Sequence, residues 1–283
     1  MEKIRTYKQR AKASLKNNWG NAVAVILIYF AITIGISAID ELFANMSNYI
    51  KYPISLFTSV LLWPLCWGVY VPFLSLVRGE RINIKNLWDG YRKENILRIL
   101  TITFIVLLII VAIFIGMVIV NFIVIAIFDK DLLTYGSFIS VQVLIAFILV
   151  CILYLRWSMA FFIMHDDIKM KNMGVLNYSA QLMKGHKWQF FKLLLSLAWW
   201  VIASGAIFVF VSMYLHFDIN VIEDIFDMNI NILSFDSSTD VSYMIIKCVI
   251  IALYISFLWL IPYVNTATAH FYEDLKAEQL PQM

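Results

Sequence analysis

Charge is scarce in this chain. Asp, Glu, Lys and Arg make up 14% of its 283 residues against 62% hydrophobic ones, which excludes an ordinary soluble globule. Cysteine is scarcer still: Cys66, Cys151 and Cys248 are odd in number and all fall within apolar runs. A disulfide framework is therefore not expected, and the thiols read as buried and free. Catalytic motifs are missing as well. No Gly-rich phosphate loop, Gly-x-Ser-x-Gly elbow, His-Glu-x-x-His or Cys-x-x-Cys occurs, and the acidic stretch at about 217–240 lacks the Asp-x-Asp-x-Asp-Gly pattern of a calcium loop. Catalysis has no support, and neither a cofactor nor a metal is expected.

What the chain has instead is apolar length. Six runs of about 18 or more residues carry few charges: Trp19 to Ile39, Ile54 to Val77, Ile99 to Phe128, Phe138 to Met164, Phe190 to Leu215 and Val241 to Ala269. Each is long enough to cross a bilayer as a helix whose backbone bonds itself, so the expected fold is an all-α polytopic membrane protein. The first run is too long for the apolar part of a signal peptide and is read as an uncleaved helix. Pro64 and Pro72 in the second run are expected to kink it.

Between the runs, apolar residues recur at helical spacing among charges. Ile4, Tyr7, Ala11 and Leu15 do so within a basic N-terminus, Ile84, Leu87, Trp88 and Tyr91 after the second run, and Met173, Leu176, Ala180 and Met183 after the fourth. These segments read as amphipathic helices on a membrane surface, with Lys16, Trp19, Trp88, Lys184 and Trp188 as basic and aromatic anchors. Lys and Arg crowd the N-terminus, the second-to-third and fourth-to-fifth links and the tail, while Lys51 and Lys130 alone occupy the opposite links. By the positive-inside rule both termini are cytoplasmic and the acidic 217–240 link is extracytoplasmic. The whole chain is then one membrane domain of three parallel units, about 3–77, 84–164 and 173–271, each a cytoplasmic amphipathic helix followed by a transmembrane hairpin.

Two cations lie well inside apolar runs. Lys247 is under two turns from the outer end of its helix and leans toward that end, so it snorkels outward. Arg156 lies about two turns above the cytoplasmic exit on a helix running the same way, and its side chain leans deeper. It is expected to point into the bundle, toward a carboxylate, exposed carbonyls, water or an anionic headgroup, with Asn265, Thr266 and Thr268 as ligand-site partners, and Glu273 and Asp274 as further partners if the fourth and sixth runs adjoin. An internal arginine that only fixes helix packing is the competing reading. His165, Asp166 and Asp167, with His270, Glu273 and Asp274, end two such helices and form a candidate cytoplasmic polar cluster without metal-ligand spacing. The basic helices lie next to membrane runs, so their partner is the bilayer and its anionic headgroups rather than nucleic acid.

Several blocks carry a resemblance. Leu15-Lys-Asn-Asn-Trp-Gly20, Arg156-Trp-Ser-Met-Ala160, Ser179 to Leu193 with its Met-Lys-Gly-His-Lys-Trp core, Leu260-Ile-Pro-Tyr-Val264 and Phe271-Tyr-Glu-Asp-Leu275 together resemble the bacterial integral-membrane family called domain of unknown function 975. The resemblance spans essentially the whole chain, least in the second unit and the acidic link. It implies a six-helix protein of a bacterial cytoplasmic membrane, similar to the membrane domains that accompany glycerophosphodiester phosphodiesterases. The family supplies no catalytic residues.

The expected function is a non-enzymatic membrane protein that binds a lipid, another amphiphile or a protein partner near Arg156, with a homo-oligomer also open. The alternative is a permease-like resistance or immunity protein exporting a peptide or amphiphile; a membrane enzyme ranks third.

Overall fold

A computed structural model describes residues 4–43, 46–127, 132–214 and 241–279. Helices α1 (Ile4–Leu15), α2 (Trp19–Leu42), α3 (Asn48–Gly68) and α4 (Tyr70–Val77) come first. A 3-10 helix (Ile84–Tyr91) leads into α5 (Lys93–Ile127), α6 (Leu132–Trp157) and α7 (Ala160–Asp166). The order ends with α8 (Asn172–Leu182), α9 (Lys187–Tyr214) and α10 (Val241–Gln279). No strand occurs among the described residues. The acidic 217–240 stretch and Lys130 lie outside them, as do the side chains of Lys247 and Cys248.

Among the described residues, four stretches are long and apolar enough to cross a membrane: Trp19–Leu42, Asn48–Val77, Lys93–Val124 and Phe138–Asp166. Their burial is uneven. In the third and fourth only 6% of the most apolar window is covered by protein, against 61% in the second. Apolar helix surface left open to this extent has lipid as its natural solvent, since a helix needs no water to satisfy its backbone.

Two of these stretches are broken, and each break bears on the site. Pro72 has no N–H for the Gly68 carbonyl four residues earlier, and the helix is interrupted at Val69 between α3 and α4. Pro64 stays inside α3. The run Phe138 to Met164, read from sequence as one helix, stops at Trp157 and restarts at Ala160. The Ser158 hydroxyl donates to the Leu155 carbonyl (3.1 Å) at that break.

The short elements collect at one end of the bundle, the end that carries most of the Lys and Arg. Tyr7, Ala11 and Leu15 are fully buried, so the apolar face of α1 rests on protein, chiefly α10, where sequence reasoning placed a membrane surface. The 3-10 helix packs on α3 with Leu87 inside and Trp88 half exposed. That contact is backbone on backbone: a Cβ on Gly68 would strike the Leu87 carbonyl, and one on Gly90 the Pro64 carbonyl. Glycine is required at both places by close approach rather than by conformation. The Tyr91 hydroxyl donates to the Leu61 carbonyl (2.7 Å), closing the same junction.

Candidate ligand-binding site

The break after Trp157 leaves Arg156 in the last turn of α6. Its side chain is exposed. It lines an open groove of about 670 Å³ together with Asn177, Gln181, Lys184, Lys187 and Trp188. This corrects the expectation that Arg156 points into the bundle. The physical reason is the shortened helix: a residue in a final turn, beside α8, reaches the basic end without burying its charge. Ser179 of α8 donates its hydroxyl to the Arg156 carbonyl (3.1 Å), fixing the two helices side by side.

The opposite wall of the groove depends on one turn. Gly185 has φ +87°, a conformation costly for a side chain, and it redirects the chain from α8 into α9. Lys184 and Lys187 thereby fall on either side of the turn and on the same groove. Trp188 is 63% exposed, stacks on Phe191 at 5.4 Å, and has Lys192 Nζ 5.2 Å from its ring centre. Thus Lys184 and Trp188, read separately from sequence as surface anchors, belong with Arg156.

Asn265, Thr266 and Thr268 do not join them, a second correction. Thr266 and Thr268 turn their hydroxyls back to the Pro262 and Val264 carbonyls, both at 2.8 Å. A hydroxyl can always satisfy itself on the preceding turn of its own helix, so it needs no arginine. Asn265 and Thr268 instead line a different space, a mostly apolar cavity of about 310 Å³ between α5, α6, α9 and α10. Ser158 and Tyr154 add hydroxyl groups to it, while Ile102, Val106 and Leu194 supply apolar wall. Trp157 and Leu176 line the cavity and their neighbours Arg156 and Asn177 line the groove, so the same elements serve both spaces.

The candidate polar cluster is divided by the fold. Asp166 accepts from Arg78 (2.9 Å), Tyr272 (2.9 Å) and Lys276 (2.6 Å), and Arg78 also donates to Glu273 (2.8 Å). Asp274 pairs with Arg10 of α1 at 2.9 Å, and His270 meets the Ser14 hydroxyl at 3.0 Å. Asp167 caps its own turn by accepting from the Lys169 and Met170 amides. The His165 ring lies 6.0 Å from that of Trp67. Asp166 and Glu273 are thus brought together through Arg78, whereas His165, Asp167, His270 and Asp274 serve other contacts. No three His, Cys, Asp or Glu gather as a metal site among the described residues.

Burial opposes the charge of Arg78, but its hydrogen bonds to Asp166 and Glu273 outweigh that and hold its pKa above the ordinary arginine value. The Tyr272 hydroxyl is pushed well above the ordinary tyrosine value, by burial first and by the Asp166 charge second. This assembly joins the end of α4, the end of α7 and the last turns of α10. It acts as a clasp.

Sequence reasoning missed Arg10, Arg78, Arg98, Tyr272 and Lys276 as contact residues, having counted the basic ones only for orientation. Arg98 donates to the Asp167 and Met170 carbonyls (3.1 and 2.8 Å), holding the link between α7 and α8. The available signal covered only two of the cations: Arg78 and Lys276 stand at helix ends, where free carbonyls and carboxylates accumulate, whereas Arg10 lies within α1 and Arg98 within α5. Of the other surface anchors, Lys16 is exposed just past α1, and the Trp19 ring lies 4.8 Å from Trp259.

The family model described as "Protein of unknown function (DUF975)" matches residues 1–279. Comparisons with curated proteins and with solved structures give no match. None of these comparisons connects the chain to glycerophosphodiester phosphodiesterase membrane domains.

Proposed function

The chain belongs to the DUF975 family of proteins of unknown function, and we propose that it is a multi-pass protein of a bacterial cytoplasmic membrane that binds a lipid or similar amphiphile without transforming it. In this reading the six apolar runs are spans, both termini are cytoplasmic, and the basic end faces the cytoplasm. The three sequences of short helix, long helix and long helix are the three units.

One observation carries the binding role. The cavity of about 310 Å³ between α5, α6, α9 and α10 is walled mainly by apolar side chains, with Tyr154, Ser158, Asn265 and Thr268 as isolated polar groups. A concave apolar space with a few placed hydrogen-bonding groups suits the chain of an amphiphile near its polar junction. It lies against helices whose outer surfaces are otherwise open, so a ligand already dissolved in the bilayer has short access.

The test is identification of the amphiphiles that leave the membrane with the protein when it is extracted with its native lipid. Val106→Trp and Val150→Trp fill the cavity from two sides. Both are expected to lower the amount of one co-extracted amphiphile severalfold with an unchanged melting temperature. Unchanged lipid content in both folded variants would reject the cavity as its site.

A further inference from the structure

The basic groove is a separate space from the apolar cavity, and the amphiphile proposed for that cavity does not occupy it. Arg156, Lys184 and Lys187 line it, and no Asp or Glu does. Three like charges lining one groove repel one another unless an anion is present, and clustered Arg and Lys side chains are a standard means of binding phosphate. Asn177 and Gln181 add amide donors from the surface helix α8. A volume of about 670 Å³ exceeds what an isolated inorganic ion fills.

The groove also has a continuation. Trp188, Leu195, Trp199 and Ile202 are exposed at 63%, 49%, 65% and 49%. Their spacing of seven, four and three residues places them on one face of α9, as an apolar stripe leading away from the groove along the helix. Trp188 stands where stripe and groove meet, with an amphipathic ring suited to the membrane interface. A soluble phosphate would use the cations and leave the stripe bare. A lipid would use both.

We infer that this groove binds the phosphate headgroup of an anionic phospholipid, with Arg156, Lys184 and Lys187 around the phosphate and the acyl chains along the Trp188–Ile202 face of α9. This rests on the reading of the chain as an amphiphile-binding membrane protein and names the lipid class. The groove then makes the protein selective for anionic over zwitterionic lipid at its basic end.

The experiment uses the full chain, purified in detergent and titrated with phosphatidylglycerol or with phosphatidylcholine of matched acyl chains, with bound lipid counted by native mass spectrometry. Wild type is expected to retain phosphatidylglycerol preferentially, and high salt should erode that preference. Arg156→Gln, Lys184→Gln and Lys187→Gln should each reduce the anionic-to-zwitterionic ratio about fivefold, the worth of one basic residue at an anionic surface. Arg156→Lys should keep most of it and guards against misreading a folding defect.

Lys12→Gln, Lys85→Gln and Lys93→Gln remove the same charge from exposed positions outside the groove and should leave the ratio near wild type. An equal fall in those controls would overturn the inference, since the preference would then come from overall charge. Displacement of the lipid by equimolar glycerol 3-phosphate would overturn it too, in favour of a soluble phosphate. Lipid retained with no anionic preference sinks the groove assignment but spares the amphiphile reading. Absence of any retained lipid sinks both.

Discussion

Arg78 and Asp166, 88 positions apart, meet at 2.8 Å where the residue after α4 passes the end of α7. The contact makes a single polar centre out of three helix ends, because Arg78 holds Glu273 of α10 with the same guanidinium. Asp166 is largely buried, with a side chain 12% exposed, so its charge depends on these partners.

Removing either partner should loosen the basic end. Arg78→Ala and Asp166→Asn are each expected to lower the melting temperature, and a double-mutant cycle should give a coupling of about 1–2 kcal/mol. Additive effects of the two changes would show that the contact contributes nothing to stability.

The junction between α3 and the 3-10 helix gives a test of opposite sign to helix propensity. Alanine in place of glycine within a helix ordinarily stabilises by up to about 1 kcal/mol. At Gly68 the new methyl group meets the Leu87 carbonyl, and at Gly90 the Pro64 carbonyl, so Gly68→Ala and Gly90→Ala should each destabilise by about 1–3 kcal/mol. Gly35→Ala and Gly116→Ala meet nothing within 4 Å and should be neutral or stabilising in the same thermal-melting series.

The place of α1 can be checked through Tyr7, which is fully buried with its ring 5.4 Å from Phe271. Tyr7→Ala should cost about 3–5 kcal/mol, as truncation of a core aromatic does, whereas exposed Lys12→Ala should change little. Equal melting temperatures for the two variants would return α1 to the membrane surface.

The raised pKa of Tyr272 predicts a pH dependence. Its hydroxyl donates to Asp166 Oδ2 at 2.9 Å and must stay protonated to do so. A folded-state pKa above the unfolded value gives a contribution that is complete below about pH 10, the ordinary tyrosine value, and lost as pH rises toward the folded value. The stability margin of wild type over Tyr272→Phe should therefore be flat near neutrality at about 1 kcal/mol, and shrink only above about pH 10. A margin that shrinks between pH 6 and 8 would identify a different titrating group.

Much of the fold was legible because apolar length and helical spacing are local properties. The run beginning at Trp19 becomes α2, and the spacing of Ile4, Tyr7, Ala11 and Leu15 becomes α1. Helix ends were less legible. Helix α10 continues to Gln279, ten residues beyond the apolar run, and it is this continuation that carries Glu273, Asp274 and Lys276 to their partners. The candidate site was half legible. Arg156, Lys184 and Trp188 could each be singled out, yet their meeting in one groove depends on the break after Trp157 and the turn at Gly185.

By itself, then, the sequence determined an all-α chain rich in bilayer-length apolar helices, with its basic residues concentrated between them. Composition and periodicity are enough for that, since the bilayer selects helices one segment at a time. Which faces meet was decided only by tertiary structure. Arg156 lies outside the bundle, Asn265 and Thr268 line a separate cavity, and Arg78 joins Asp166 to Glu273. The places of Arg156 and Arg78 depend on where a helix stops, and a helix stops where packing and hydrogen bonding of residues distant in the chain make stopping favourable.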